Sequence, residues 1–163
     1  LIALMRGGNP VYGMMHQPFT RERFSGDGKG ALWRGLDRTG KMSERILRTR
    51  PCQKLAQATL MTTHPALLTA DTRAAYQRVE EKVRLSRYGG DCYAYGLLAS
   101  GFIDLVVEAQ LKAWDVAALI PIIEGAGGIV TTWDGGPATA GGRIVAAGDK
   151  RVHAEAMKIL NEG

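Results

Sequence analysis

Asp115 stands directly after Trp114 at the head of an apolar run, Val116 to Ile123. An aspartate at a helix start accepts orphan backbone N–H groups and suits the positive end of the helix dipole, so taken alone it reads as an N-cap. The same position offers a carboxylate to a cation, and the helix end favours an anion such as phosphate beside it. Two more carboxylates precede it. Glu108 ends an alternating stretch that reads as a strand, where an isolated carboxylate would simply sit in water. Asp91 follows Gly89 and Gly90, whose missing Cβ atoms let backbone come close to a ligand. By local chemistry alone, Gly-Gly-Asp is a turn that caps the helix from Cys92 to Ser100. As part of a binding site, an acidic Asp91 suits a substrate with an amine or imidazole better than a neutral polyol. Arg87 has the planar donor fork that takes a phosphate or carboxylate bidentately, although a strand-end Arg is often only a solvated charge.

Trp114, Asp115, Ala117, Ala118, Glu124, Ala126, Gly127 and Gly128 together resemble the C-terminal signature of the inositol monophosphatase family. Gly125 departs from it as an extra residue before Ala-Gly-Gly, which puts only the end of the helix in question. The stretch Arg87-Tyr88-Gly89-Gly90-Asp91-Cys92-Tyr93-Ala94-Tyr95 resembles the histidinol-phosphate phosphatase branch; inositol-specific members carry small residues where Asp91 stands. The resemblance implies an α/β fold, a layered α-β-α-β-α sandwich of the inositol monophosphatase/fructose-bisphosphatase type. Residues 1–163 would be the C-terminal part of one such domain. It implies Asp115 as catalytic residue and magnesium ligand, Glu108 as a contact to the alcohol portion of the substrate, and Gly90, Asp91 and Arg87 in the same pocket.

The implied activity is Mg2+-dependent hydrolysis of L-histidinol phosphate to L-histidinol and phosphate, a step of histidine biosynthesis. Clustered cations offset the charge that develops on the attacking and leaving oxygens of a phosphate monoester, which otherwise hydrolyses extremely slowly. Inositol-1-monophosphatase and related nucleotide or sugar phosphatases are the alternatives within the class, and relatives form homodimers. The family's other metal motifs, Gly-Glu-Glu and Asp-Pro-x-Asp-Gly-Thr, do not occur in the 163 residues, and the chain does not begin with Met. Magnesium needs near-octahedral oxygen coordination, so Asp115 alone cannot build the centre. The expectation is therefore a C-terminal portion completed by a missing N-terminal portion of the same enzyme. The reading of another class is a non-catalytic C-terminal fragment or dimerisation half.

The chain is 45% hydrophobic, enough for one domain with a real core. Its net charge of +5 is spread out, with few aromatics interleaved, so nothing resembles a nucleic-acid-binding stripe. Attraction for small phosphorylated molecules is an adequate account of the charge. Cys52 and Cys92 lack CxxC spacing, and there is no signal peptide or membrane-spanning run, which points to the cytoplasm. His16, His64 and His153 have no metal-ligand spacing.

The elements that must position these residues follow from periodicity and turn chemistry. Leu1 to Arg6 and Val11 to Gln17 alternate around Gly7-Gly8-Asn9-Pro10 and read as paired strands. Gly26 to Gly30 reads as a turn between Arg21–Phe24 and Ala31–Gly35; it lacks the ending of a phosphate loop. Arg38 to Arg45 is a polar, charged stretch, and Leu55 to Thr62 suits a strand. Asp71 is expected to cap a helix through Val83, with Leu85 to Tyr88 a short strand, Cys92 to Ser100 a helix and Phe102 to Glu108 a strand. Val116 to Ile123 is apolar all round, hence buried, with a bend near Ala117 caused by Pro121. Strands at Ile129–Thr132 and Arg143–Ala147 flank a Gly-rich loop, Asp134 to Gly142. Asp149 caps a last helix to Leu160.

Overall fold

The computed structural model describes residues 1–162. Residues 2–46 form an antiparallel meander of five strands in sequence order: β1 Ile2–Arg6, β2 Asn9–Gln17, β3 Glu22–Gly26, β4 Ala31–Leu36 and β5 Met42–Ile46. The β3–β4 turn is closed by Asp27, whose carboxylate accepts the backbone N–H groups of Lys29 and Gly30, both at 2.9 Å. Strand β5 overlaps the stretch Arg38 to Arg45, read as merely polar, and runs one residue past it. It is an edge strand paired to β4 from Leu36↔Met42 to Leu32↔Ile46, with no residue buried, so it carries little hydrophobic signal.

The second sheet is mixed, in the order β7-β6-β8-β10-β9. These strands are β6 Thr59–Thr62, β7 Leu85–Tyr88, β8 Leu105–Lys112, β9 Ile129–Thr132 and β10 Gly141–Ala147. Strand β6 runs parallel to both β7 and β8, while β10 is antiparallel to β8 and β9. The helices are α1 Ala70–Glu80, α2 Cys92–Ala99, α3 Ala113–Val116, α4 Leu119–Gly125 and α5 Lys150–Leu160. Among the described residues no helix is long and apolar enough to cross a membrane.

Two apolar clusters hold the layers together. One joins Met15 and Phe24 of the first sheet, Leu98 of α2, Ile122 of α4, and Val106 and Ile144 of the second sheet, so α2 to α4 lie between the sheets. The other joins Leu60, Leu105 and Val145 to Tyr76 and Val79 of α1 and Val152 and Ala156 of α5, behind the second sheet. Of the expected α-β-α-β-α layers, the described residues supply β-α-β-α. The outer face of the first sheet is open. Ile2, Met14, Ser25, Leu32 and Ile46 form one continuous cross-strand row there, with Ile2 and Ile46 exposed.

Several boundaries differ from the sequence expectations for tertiary reasons. Leu55–Gln57 is a turn of 3-10 helix rather than strand, because the Leu55 N–H is drawn to Glu155 of α5 at 2.9 Å. Helix α1 is capped from Thr69, not Asp71, and stops at Glu80, since the chain must turn for Arg84 and Leu85 to reach the Ala58 carbonyl. Strand β8 starts later and runs past Glu108, because Asp104 is used as an anchor and Gly141 and Gly142 of β10 pair with Lys112 and Leu111. The buried run after Asp115 does break near Ala117, into α3 and α4. Pro121 falls in the first turn of α4, where its missing N–H costs nothing. Gly125 ends α4 against another segment; a Cβ there would lie 2.3 Å from the Gly30 carbonyl oxygen. Asp149 caps α5 as expected, accepting the Arg151 N–H at 2.9 Å.

Candidate active site

The C-terminal half of β8, the short α3 and the start of α2 meet around a cavity of about 500 Å³. Asp91, Glu108 and Asp115 all line it, together with Thr63, Tyr95 and Leu111. Three of the five residues singled out for the site are thus brought together from three different elements.

Asp115 is held by its own helix. It occupies the third position of α3 and reaches back so that its Oδ2 accepts the Lys112 backbone N–H at 2.7 Å. It is therefore not the N-cap itself, and its Oδ1 has no protein partner among the described hydrogen bonds. Trp114, one position earlier, is 73% exposed and contributes nothing to the cavity wall.

Glu108 is 5% exposed and firmly anchored. Its Oε1 accepts the Thr63 N–H at 2.6 Å and the Thr63 hydroxyl at 2.8 Å, and its Oε2 accepts the Thr62 hydroxyl at 3.1 Å. Burial pushes its carboxyl above the usual glutamate value, and the hydrogen bonds from Thr63 and Thr62 oppose that rise without cancelling it.

Asp91 has φ of 44°, an uncommon backbone state for a residue other than glycine, and its side chain makes no capping hydrogen bond to α2. An aspartate that neither caps its helix nor pairs with a cation, in a conformation with a backbone cost, is available to a ligand. Gly90 is outside the cavity wall. It supports the turn instead, with φ of 88° and its carbonyl accepting the Tyr93 N–H at 2.7 Å. Arg87 does not reach the cavity: it is exposed on β7 and donates to the Ser86 carbonyl at 2.9 Å. Arg87 shares the sheet face of Met61, but β7 is the edge strand and the side chain stays in solvent there.

Sequence reasoning missed Thr62, read only as a strand end, and Thr63, which had no reading; both orient Glu108. It also gave no role to Tyr95, inside the stretch Arg87–Tyr95. It also missed Gln110, a cavity residue with φ of 64° whose amide donates to the Leu67 carbonyl at 3.1 Å. The three histidines are occupied elsewhere: His16 with the Glu22 carbonyl, His64 with the Ala66 N–H, and His153 with the Thr131 hydroxyl.

The wall is a carboxylate surface that attracts cations. For magnesium the donor set is short: among the described residues no three His, Cys, Asp or Glu side chains stand together as metal ligands. Glu108 has most of its acceptor capacity committed, which leaves one oxygen of Asp115 and the carboxylate of Asp91 free on the wall. The residues present do not make a complete magnesium centre, since that ion requires several oxygens in near-octahedral array. What they do make is an acidic pocket lined by Asp91, Glu108 and Asp115.

Two sheets enclosing a helical layer, with an acidic cleft where α2 and α3 meet β8, define a layered α/β protein. The chain belongs to the inositol monophosphatase family, which it matches over residues 1–163. It is similar to the bifunctional phosphatase IMPL2, chloroplastic, of Arabidopsis thaliana, at 43% identity over 98% of this chain and 46% of that protein. It is also similar to the histidinol-phosphatase of Mycobacterium tuberculosis, at 29% identity over 100% of this chain and 62% of that one. Among solved structures, an inositol monophosphatase from Zymomonas mobilis superposes with a TM-score of 0.87 at 37% identity, covering 97% of this chain and 60% of that one. The chain thus spans about half to three-fifths of the length of these relatives.

Proposed function

We propose that this chain carries the alcohol-recognising part of a Mg2+-dependent phosphomonoesterase that hydrolyses L-histidinol phosphate. The observation that carries the reading is Asp91: an unpaired carboxylate on the wall of the cavity that also holds Glu108 and Asp115. Histidinol bears an amine and an imidazole, and a cationic alcohol is matched by a wall of carboxylates in a way that a neutral polyol is not. The similarity to the histidinol-phosphatase of Mycobacterium tuberculosis supports the same reading. Asp115 would hold a metal ion that, when bound, would polarise the phosphate ester. Glu108 and Asp91 would hold the alcohol portion. Inositol-1-monophosphatase activity is the alternative substrate reading, supported by the similarity to a probable inositol 1-monophosphatase of Mycobacterium tuberculosis, 29% identical.

A second reading is favoured by two observations, the short metal donor set and the open apolar row on the first sheet. In it, this polypeptide by itself is a non-catalytic half that associates, as a homodimer or with a completing segment, through that face. The two free cysteines suit a reducing compartment such as the cytoplasm. Phosphate release from L-histidinol phosphate and from inositol 1-phosphate, with and without magnesium, tests the first reading. Magnesium-dependent release that Asp91→Ala abolishes for histidinol phosphate alone is the expected result. Release that survives Asp91→Ala undiminished refutes the assignment of Asp91. No release, with a dimer in solution, favours the second reading.

A further inference from the structure

Tyr95 lines the cavity and is 3% exposed, and its hydroxyl is sealed from solvent without any hydrogen-bond partner. The only other side-chain atom in that condition among the described residues is the Ser100 hydroxyl. Two other tyrosines of the fold show the usual outcome. Tyr76 donates to Glu80 at 2.9 Å, and Tyr93, on the same helix as Tyr95, donates to Glu22 at 2.7 Å. Buried polar groups are almost always satisfied, and one that is not carries the full cost of its desolvation. The exception therefore falls on the one tyrosine that borders the carboxylate cavity.

Burial first, and then the nearby Glu108 and Asp115 carboxylates and Cys92, hold the Tyr95 phenol well above its ordinary value, so it stays protonated and neutral. A neutral phenol both donates and accepts. The carboxylates already select for positive charge; the phenol adds a directional contact that a bare carboxylate wall lacks. A site whose buried polar group is satisfied only by the right ligand discriminates strongly against analogues missing that group.

We propose that Tyr95 is a substrate-binding residue whose hydroxyl oxygen accepts a hydrogen bond from the amine of the substrate's alcohol portion, beside Asp91 and Glu108. The inference rests on the functional reading above and assigns a residue to it. Contact requires a side-chain rotation in the cavity wall, a scale of change common on binding. The cavity of about 500 Å³ is of the size that encloses a small organic ligand.

The test is calorimetric binding of L-histidinol and of its amine-less analogue 3-(imidazol-4-yl)propan-1-ol to the wild type, Tyr95→Phe and Tyr93→Phe. Tyr95→Phe is expected to weaken L-histidinol roughly threefold to tenfold, the scale of one hydrogen bond, and to leave the analogue unchanged. Its melting temperature should not fall, because no bond is lost in the free protein. Tyr93→Phe, which does lose a bond, should melt lower and bind both ligands as the wild type does. Equal effects of Tyr95→Phe on both ligands, or none on either, overturn the inference and leave the functional reading standing. A wild type that binds myo-inositol but not L-histidinol overturns both.

Discussion

The Glu108 carboxylate receives both the backbone N–H and the hydroxyl of Thr63, at 2.6 and 2.8 Å, across neighbouring parallel strands. This pairing ties the end of β6 to the middle of β8 and points one wall of the cavity. It also explains how an acidic side chain is kept 5% exposed: three protein hydrogen bonds replace most of its hydration.

Because burial raises its carboxyl, Glu108 costs stability when ionised. The sign follows from linkage: a group with a raised folded value supports folding below its unfolded value, and that support is lost as pH rises through the folded one. Glu108→Gln keeps the shape and can keep an acceptor on Thr63. The stability of the variant relative to wild type should therefore improve between pH 4 and pH 7, read from urea midpoints. A constant difference across that range would show that the charge carries no cost.

Asp104 is 1% exposed and accepts Arg50 Nε at 2.7 Å, the second Arg50 nitrogen at 2.5 Å and the Thr59 N–H at 2.7 Å. Arg50→Met leaves a buried carboxylate without its cation, a loss of about 3 kcal/mol, discounted somewhat because Arg50 is 38% exposed. Replacing Asp104 and Arg50 together by apolar residues should recover part of it. A double variant no better than the single one would contradict this account.

Asp149 caps α5, takes a bidentate ion pair from Arg151 and accepts the Cys52 N–H at 3.0 Å. The Arg151 side chain, and the backbone N–H groups of Arg151 and Cys52, hold its carboxyl well below the usual range. Its stabilisation is thus present above the ordinary aspartate value and fades as pH falls below it. Asp149→Ala should cost about 1 to 2 kcal/mol at pH 7 and progressively less toward pH 2. An unchanged melting temperature at pH 7 would refute the role.

Gly125 is required by its surroundings, since a Cβ would meet the Gly30 carbonyl at 2.3 Å. Gly125→Ala should destabilise by about 1 to 3 kcal/mol through overpacking. Deleting Gly125, the residue that departs from the family signature, should do no better, because Glu124 and Ala126 are then out of phase. A deletion as stable as wild type would make the extra residue incidental.

Local chemistry in the sequence determined much of this protein. The β3–β4 turn follows from Asp27 and its glycines, the α5 cap from Asp149, and the break near Ala117 from Pro121, since each depends on residues within one turn of the chain. Asp91, Glu108 and Asp115 stand out in the sequence through the family resemblance, since local chemistry alone reads them as caps or a solvated strand carboxylate. Only the tertiary structure decided which of the singled-out residues share a cavity. Arg87 and Asp91 are near neighbours in sequence, yet one faces solvent and the other the pocket. Strand β5 was hidden because an edge strand needs no buried face, and the environment of Tyr95 is set by Glu108 and Asp115 from other elements. Turn and helix signals are carried by near neighbours; burial and charge environment are sums over distant ones, which no local pattern encodes.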